Sequence, residues 1–283
     1  MRGVRAQGFL DEGNGIGCMG PWPARRLAGR TCSHAIVARA VLSCYLQRAM
    51  TSNATVPLSL VPIMIGGRRW RIWCVEDQDY LLSVASRLEH LPYGLLLWES
   101  SVGLSQRLAE EPSIVRGKRV LELGAGTGLP GLVARSLGAC VWQTDHMEDV
   151  LDIAALNERE NALVGIRRFR ADWRDWVEPT SFDVILGADI LYDAALYRSI
   201  AAILDRSLAP GGRVLLADPG RPQAWKFLSE LENGGARFAM SVRRVEPTCV
   251  LGSRDEVDVA IVEYRAPEQG FGPPVAWQSI YGG

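Results

Sequence analysis

The stretch "VLELGAGTGLPG", Val120 to Gly131, sets a carboxylate, Glu122, just ahead of glycines at 124, 126, 128 and 131. Glycine lets a backbone approach a ligand closely, and a helix that starts after such a turn offers free N–H groups. Two ligand chemistries suit this turn. Read from Gly126, it gives the G-x-G-x-x-G order of dinucleotide sites, which bring a pyrophosphate to the helix N-terminus. Read from Glu122, it gives an acid and then three alternating glycines. An acid there repels pyrophosphate but suits the ammonium and sulfonium of S-adenosylmethionine.

Further chemistry lies downstream. Asp145 closes "VWQTD", 21 residues after Gly124, where a carboxylate can accept both hydroxyls of a ribose. In "ADW", Asp172 is placed to bond an adenine amino group and Trp173 to pack against the ring. "GADILY" ends another apolar run, so Asp189 and Tyr192 are expected in the crevice at the carboxyl edge of a sheet, with Asp189 oriented by Tyr192 or by the acceptor amine. Asp193 can cap the helix that follows, leaving Asp189 free. Glu122 inside an apolar strand needs donors from the loop or the ligand, since a buried carboxylate without partners is costly. Trp176 reads as packing, and Asn157 and Asn161, one helical turn apart, read as solvated polar positions. His34, His90 and His146 are the three histidines and none pairs with another ligand at metal spacing, so no metal is expected.

These residues need a scaffold. From Lys118 apolar runs alternate with helical patterns. Strands are expected at 118–123, 140–144, 166–170, 182–189 and 213–218, and helices from 128 and over 148–162, 194–207 and 222–233. Such alternation calls for a mostly parallel sheet with helices on both faces. Two closing β-patterned runs, "RFAMSVRRVE" and "EVDVAIVEYR", have no helix between them and must pair antiparallel. Upstream, Gly66-Gly67 between two β-rich runs signals a hairpin, and 77–112 carries helical spacing broken at Leu91-Pro92-Tyr93. The organisation expected is a disordered or non-native leader at 1–49, a hairpin and helical cap at 50–117, the ligand-binding core at 118–265 and a loose tail at 266–283. Met50 is a plausible alternative start.

Together these motifs resemble the class I S-adenosylmethionine-dependent methyltransferases. The likeness spans roughly Pro57 to Arg265 and rests on "LLLWESSVGLSQRL", "VLELGAGTGLPG", "TD" at 144–145, "ADW" at 171–173 and "ADILY" at 188–192. Trp98 together with the D-x-x-Y of Asp189 and Tyr192 points to the seven-β-strand group, similar to methyltransferase family 16, that includes many protein-lysine methyltransferases. The resemblance implies a Rossmann-like α/β fold. Its seven-stranded, mostly parallel sheet carries an antiparallel C-terminal strand pair and an N-terminal hairpin and helix cap. It also implies that Gly124, Ala125 and Gly126 line the methionine portion of the cofactor, with Glu122 and Gly128 as further cofactor-binding residues. Asp145 would take the ribose and Asp172 with Trp173 the adenine, while Trp98 and Ala188 close over the cofactor. Asp189 and Tyr192 would face the methyl acceptor, a lysine side chain of a protein. "DPGR" at 218–221 and "VEPTCVLGSRDEV" suggest no substrate. A small-molecule N-methyltransferase shares every cofactor residue, and a non-catalytic adenosine-ligand module would leave Asp189 and Tyr192 idle.

Composition agrees with a soluble enzyme. The chain has 283 residues, 48% hydrophobic and 22% charged, with a net charge of −1, which steers it toward neither nucleic acid nor an anionic membrane. Six scattered cysteines imply reduced thiols in the cytoplasm. Lysine occurs only at Lys118 and Lys226 among 31 basic residues, a bias of GC-rich bacterial genomes.

Overall fold

The computed structural model describes residues 58–75, 93–233, 237–246 and 256–265. The leader, the alternative start at Met50, the helical pattern over 77–92 and the tail lie outside them. Two strands, β1 (Leu58–Ile65) and β2 (Arg68–Val75), pair antiparallel around Gly66-Gly67 as a separate two-stranded sheet. Both glycines hold positive φ, 57° and 74°, as a tight two-residue hairpin turn requires. Helix α1 (Glu99–Glu110) follows.

The core then alternates as expected: β3 (Arg119–Leu123), α2 (Leu129–Ser136), β4 (Cys140–Asp145), α3 (Glu148–Glu160), β5 (Arg167–Arg170), β6 (Phe182–Ala188), α4 (Tyr197–Ser207), β7 (Leu208–Asp218) and α5 (Pro222–Asn233). Two further strands close it, β8 (Arg237–Val245) and β9 (Val257–Arg265). The seven strands run in the order β5-β4-β3-β6-β7-β9-β8. The first five pair parallel, while β9 is antiparallel to both β7 and β8. The closing runs therefore pair as their missing crossover demands, and the fold is the Rossmann-like α/β sheet expected. Order reverses between β3 and β4 on one side and β6 on the other, which opens a crevice at their carboxyl ends.

Side chains alternate across the sheet. Val120, Val184, Leu186, Leu215 and Ile261 point to one face, where Leu104 and Leu108 of α1 and Leu132 of α2 cover them. Ile65, Trp70 and Ile72 of the hairpin join that same cluster, so the hairpin and α1 share one core with the sheet. Leu121, Phe182, Ile185 and Leu216 point to the other face, beneath Ile200 and Ile203 of α4 and Phe227 of α5. Trp176 packs there too and donates its indole N–H to Ser207 Oγ at 2.9 Å, as its packing role requires.

Asn157 and Asn161 correct another expectation. Both are buried, and both grip the outer edge of β2. Asn161 accepts from Arg71 N–H at 3.0 Å and donates to Arg71 carbonyl at 2.8 Å. Asn157 accepts from Trp73 N–H at 2.7 Å and donates to Trp73 carbonyl at 3.1 Å and to Thr127 carbonyl at 2.9 Å. Two amides one helical turn apart thus act as a neighbouring strand would. Asn157→Ala strands three backbone groups and should cost about 1–3 kcal/mol of unfolding free energy. Urea denaturation measures it; a loss below about 0.5 kcal/mol, ordinary for a surface change, would show that the clamp does not hold the hairpin.

Candidate functional site

The crevice at the β3, β4 and β6 ends is floored by the glycine turn. Gly124, Gly126 and Gly128 all hold positive φ, 61°, 54° and 82°, where only glycine is unstrained. A Cβ on Gly124 would stand 2.8 Å from Ile190 and 3.3 Å from the Trp173 ring, and one on Gly126 would meet the Gly94 carbonyl at 3.1 Å. The 93–98 segment therefore lies directly over the turn. Gly128 faces inward, against Gln143 and Ala154, and Ala125 is buried. These two shape the turn from behind.

Glu122 explains the register. It is 2% exposed, and its Oε2 accepts from Gln143 Nε2 at 2.7 Å and from the Gly131 N–H at 3.1 Å. Gly131 lies in the first turn of α2, whose preceding residue, Pro130, has no N–H. Two donors that a pyrophosphate would use are thus missing or taken. The turn keeps its glycine geometry, and a buried carboxylate takes the Gly131 N–H at the start of α2. A carboxylate at that helix start disfavours a phosphate there and suits a ligand carrying positive charge.

Burial pushes the Glu122 carboxyl up to about 7 from an ordinary 4.5, against the pull of Gln143 and Gly131. Between those values the folded state holds a proton that the unfolded state releases. Its contribution to stability is therefore complete below pH 4.5 and lost as pH rises through 7, a slope worth about 3 kcal/mol in total. Glu122→Gln should flatten the fall in melting temperature between pH 5 and 8; an unchanged slope would place that titration elsewhere. A cationic ligand draws the same carboxyl toward its ionised form.

Asp145 ends β4 beside the turn. One oxygen accepts from Gly126 N–H at 3.2 Å, the other from Met147 N–H at 3.2 Å and, at 3.2 Å, faces His146 Nδ1. Asp145 raises His146 above its ordinary 6.5 mainly through that hydrogen bond. Trp173 is half-buried with its ring edge beside Gly124, and its indole N–H is buried without a partner. Asp172 is exposed, accepts from the Arg174 N–H at 3.0 Å and chelates the Arg174 guanidinium at 3.0 and 2.9 Å, which lowers its carboxyl. Those bonds leave lone pairs on Asp172, but its first partner is Arg174. Trp98 precedes α1, donates to the Tyr93 carbonyl at 3.0 Å and pairs with the Tyr93 ring at 6.4 Å. Ala188 is the last residue of β6.

Asp189 follows in a left-handed conformation, φ 59°, its N–H held by the Ala217 carbonyl at 2.9 Å. Of the two partners expected to orient it, Tyr192 makes no hydrogen bond to it among the described residues. Ser100 Oγ donates to Asp189 Oδ2 at 2.7 Å and Arg221 Nη2 donates to Oδ1. Neither residue was foreseen from the sequence; "DPGR" holds the visible half of the signal. Tyr192 stands half-exposed at the rim, its hydroxyl pushed up first by burial and then by the charges of Asp145, Asp193 and Asp189. It thus looks onto both the Asp145 and the Asp189 ends of the crevice. Asp193 caps the next turn through Ala195 N–H at 2.9 Å, as expected.

The crevice offers S-adenosylmethionine a glycine floor, a carboxylate at the end of β4 and the Trp173 ring beside the turn, and the residues fit it. Known proteins bear on the same reading. A family model described as lysine methyltransferase matches residues 77–233. The electron transfer flavoprotein beta subunit lysine methyltransferase of Rattus norvegicus is 34% identical over 136 residues, 47% of this chain and 52% of that protein. The histone-arginine methyltransferase METTL23 of Rattus norvegicus is 34% identical over 119 residues, 40% of this chain and 53% of that protein. The chain thus spans about half the length of these curated relatives. A solved structure described under conversion of a disulfide bond into a thioacetal group during echinomycin biosynthesis superposes with a TM-score of 0.50. It shares 16% identity and covers 68% of this chain and 94% of that one, a likeness of fold.

Proposed function

The chain belongs to the lysine methyltransferase family whose model it matches, and from that premise we propose that it methylates a lysine ε-amine of a protein, with S-adenosylmethionine as donor. One observation carries the reading: Glu122 occupies the helix N-terminus that a dinucleotide would need, while Asp189 stands across the same crevice at the end of β6. The bound donor supplies an electrophilic methyl on a sulfonium, lost by in-line displacement with a neutral thioether leaving.

The protein's part is alignment and protonation. Proximity is the main source of rate in such a transfer. The acceptor amine, ordinarily near 10.4, must present a lone pair. A partly desolvated slot favours its neutral form. Asp189 accepts an N–H of that amine and turns the lone pair toward the donor side of the crevice. Tyr192 lines the same rim, open to solvent, where the acceptor's lost proton departs. Glu122 and Gln143 hold the turn from behind, and Asp145 fastens it through Gly126.

Tritiated methyl from S-adenosylmethionine, added to a lysate with and without the chain, tests the reading. Label in protein that hydrolyses to methyl-lysine is the expected result. Methyl-arginine would change the acceptor, and label confined to small molecules would end the protein reading.

A further inference from the structure

Arg221 reaches the crevice from the turn after β7. Asp218 Oδ1 accepts from the N–H groups of Gly220 and Arg221 at 2.8 and 2.7 Å, so the turn is set before the side chain extends. The guanidinium then donates to Asp218 Oδ2 at 2.9 Å and to Asp189 Oδ1. One cation serves two buried carboxylates, 8% and 2% exposed. Ser100 of α1 holds the second oxygen of Asp189, so the carboxylate plane is fixed from two elements distant in sequence. An ionised carboxyl has about four lone-pair positions, and these two bonds leave capacity facing the acceptor.

We propose that Arg221 is the positioning residue of the acceptor site: it holds Asp189 oriented and ionised for the incoming amine. The proposal rests on the reading above that Asp189 faces the acceptor. A salt bridge that merely fastened the turn would need only Asp218, which Arg221 already meets through its other nitrogen. The second prong reaches past the turn to the one carboxylate at the end of β6. Burial pushes the Asp189 carboxyl up, and the Arg221 charge and the Ser100 and Arg221 hydrogen bonds pull against it; Asp218 adds a further upward push. Among the described residues Tyr192 also feels the Asp189 charge, and Tyr197, beside Asp218 and Arg221, donates its hydroxyl to the Leu191 carbonyl at 2.9 Å.

The full chain and its Arg221→Met, Arg221→Gln and Arg221→Lys variants are compared, each with and without Asp189→Asn. Infrared difference spectra, each protein minus its Asp189→Asn counterpart, isolate the Asp189 carboxyl from that of Glu122. Without the guanidinium, the pH at which the protonated band disappears should rise by about one to three units in Arg221→Met and Arg221→Gln. In Arg221→Lys it should stay near that of the unaltered chain. Adding Asp189→Asn to Arg221→Met should recover part of its lost melting temperature, a non-additive pair. Affinity for S-adenosylhomocysteine should not change. An unmoved titration with additive melting losses would reduce Arg221 to a brace for its own turn. Should the Met variant fail to fold, the Gln and Lys titrations decide alone. The test is independent of the tritium experiment, whose failure would remove the acceptor reading and leave the Arg221–Asp189 titration as measured.

Discussion

Asp189→Asn should lower methyl transfer by about 10²-fold or more while leaving S-adenosylhomocysteine affinity intact, the scale usual for a group that orients or exchanges protons with a reacting atom. Asparagine tolerates the left-handed backbone that residue 189 adopts, so the substitution tests the carboxylate and not the chain path. It also keeps an oxygen for Ser100 or Arg221, but not the charge that holds both. Asp189→Ala adds a stability loss, because Ser100 and Arg221 then face a buried gap. Tyr192→Phe should cost less, since its hydroxyl stands at the rim and Asp189 is held by other residues. Full turnover in a folded Asp189→Asn preparation would remove Asp189 from the chemistry and leave it a junction between α1, β6 and the 218–221 turn.

The second large effect belongs to Asp145. Asp145→Ala should weaken S-adenosylhomocysteine binding by roughly 10- to 150-fold, the equivalent of a charged-group hydrogen bond of about 1.5–3 kcal/mol. Two losses combine: the carboxylate expected to take the ribose goes, and the Gly126 N–H loses the oxygen that fastens the turn. Asp145→Asn separates them, since an amide oxygen can still receive Gly126, and its loss should be the smaller. Calorimetry on folded protein measures both. An Ala variant that binds as tightly as the parent would show that the carboxylate only trims the end of β4. In that variant His146 should also fall back toward its ordinary value, because the hydrogen bond that raises it is gone.

What the sequence made legible was local. Gly66-Gly67, the alternating runs from Arg119 to Asp218, the acid before three glycines and the Asp193 cap each carry their instruction within a few residues. The antiparallel closing strands were legible for a topological reason, the lack of a crossover helix. What stayed hidden were partners far along the chain. Ser100 and Asp189 are 89 residues apart, Arg221 and Asp189 32, and Asn157 and Trp73 84. Residue type announces a polar group that needs a partner, but nothing near it says which partner the fold delivers. Asn157 and Asn161 show the consequence: helical spacing places them on one face without saying that the face meets a strand. Gln143, polar in the middle of a buried strand like Glu122, was a signal available to be read. Arg174, two residues from Asp172, was another; its pairing competes with the adenine role foreseen for that carboxylate.

The asparagine clamp on β2 has a bearing on self-association. A two-stranded hairpin outside the main sheet ordinarily leaves a row of backbone groups able to recruit a strand from another molecule, the route to edge-to-edge aggregation. Here β1 takes one side of β2, the two amides close the other at Arg71 and Trp73, and a bridge from Val75 to Leu96 closes its end. That closure arrives only after α3 has formed, since its residues come 84 and 90 positions later than the strand they cover. A nascent chain therefore carries that edge open until 84 to 90 further residues have followed it. The vulnerable interval for this fold is early in synthesis, before the clamp exists.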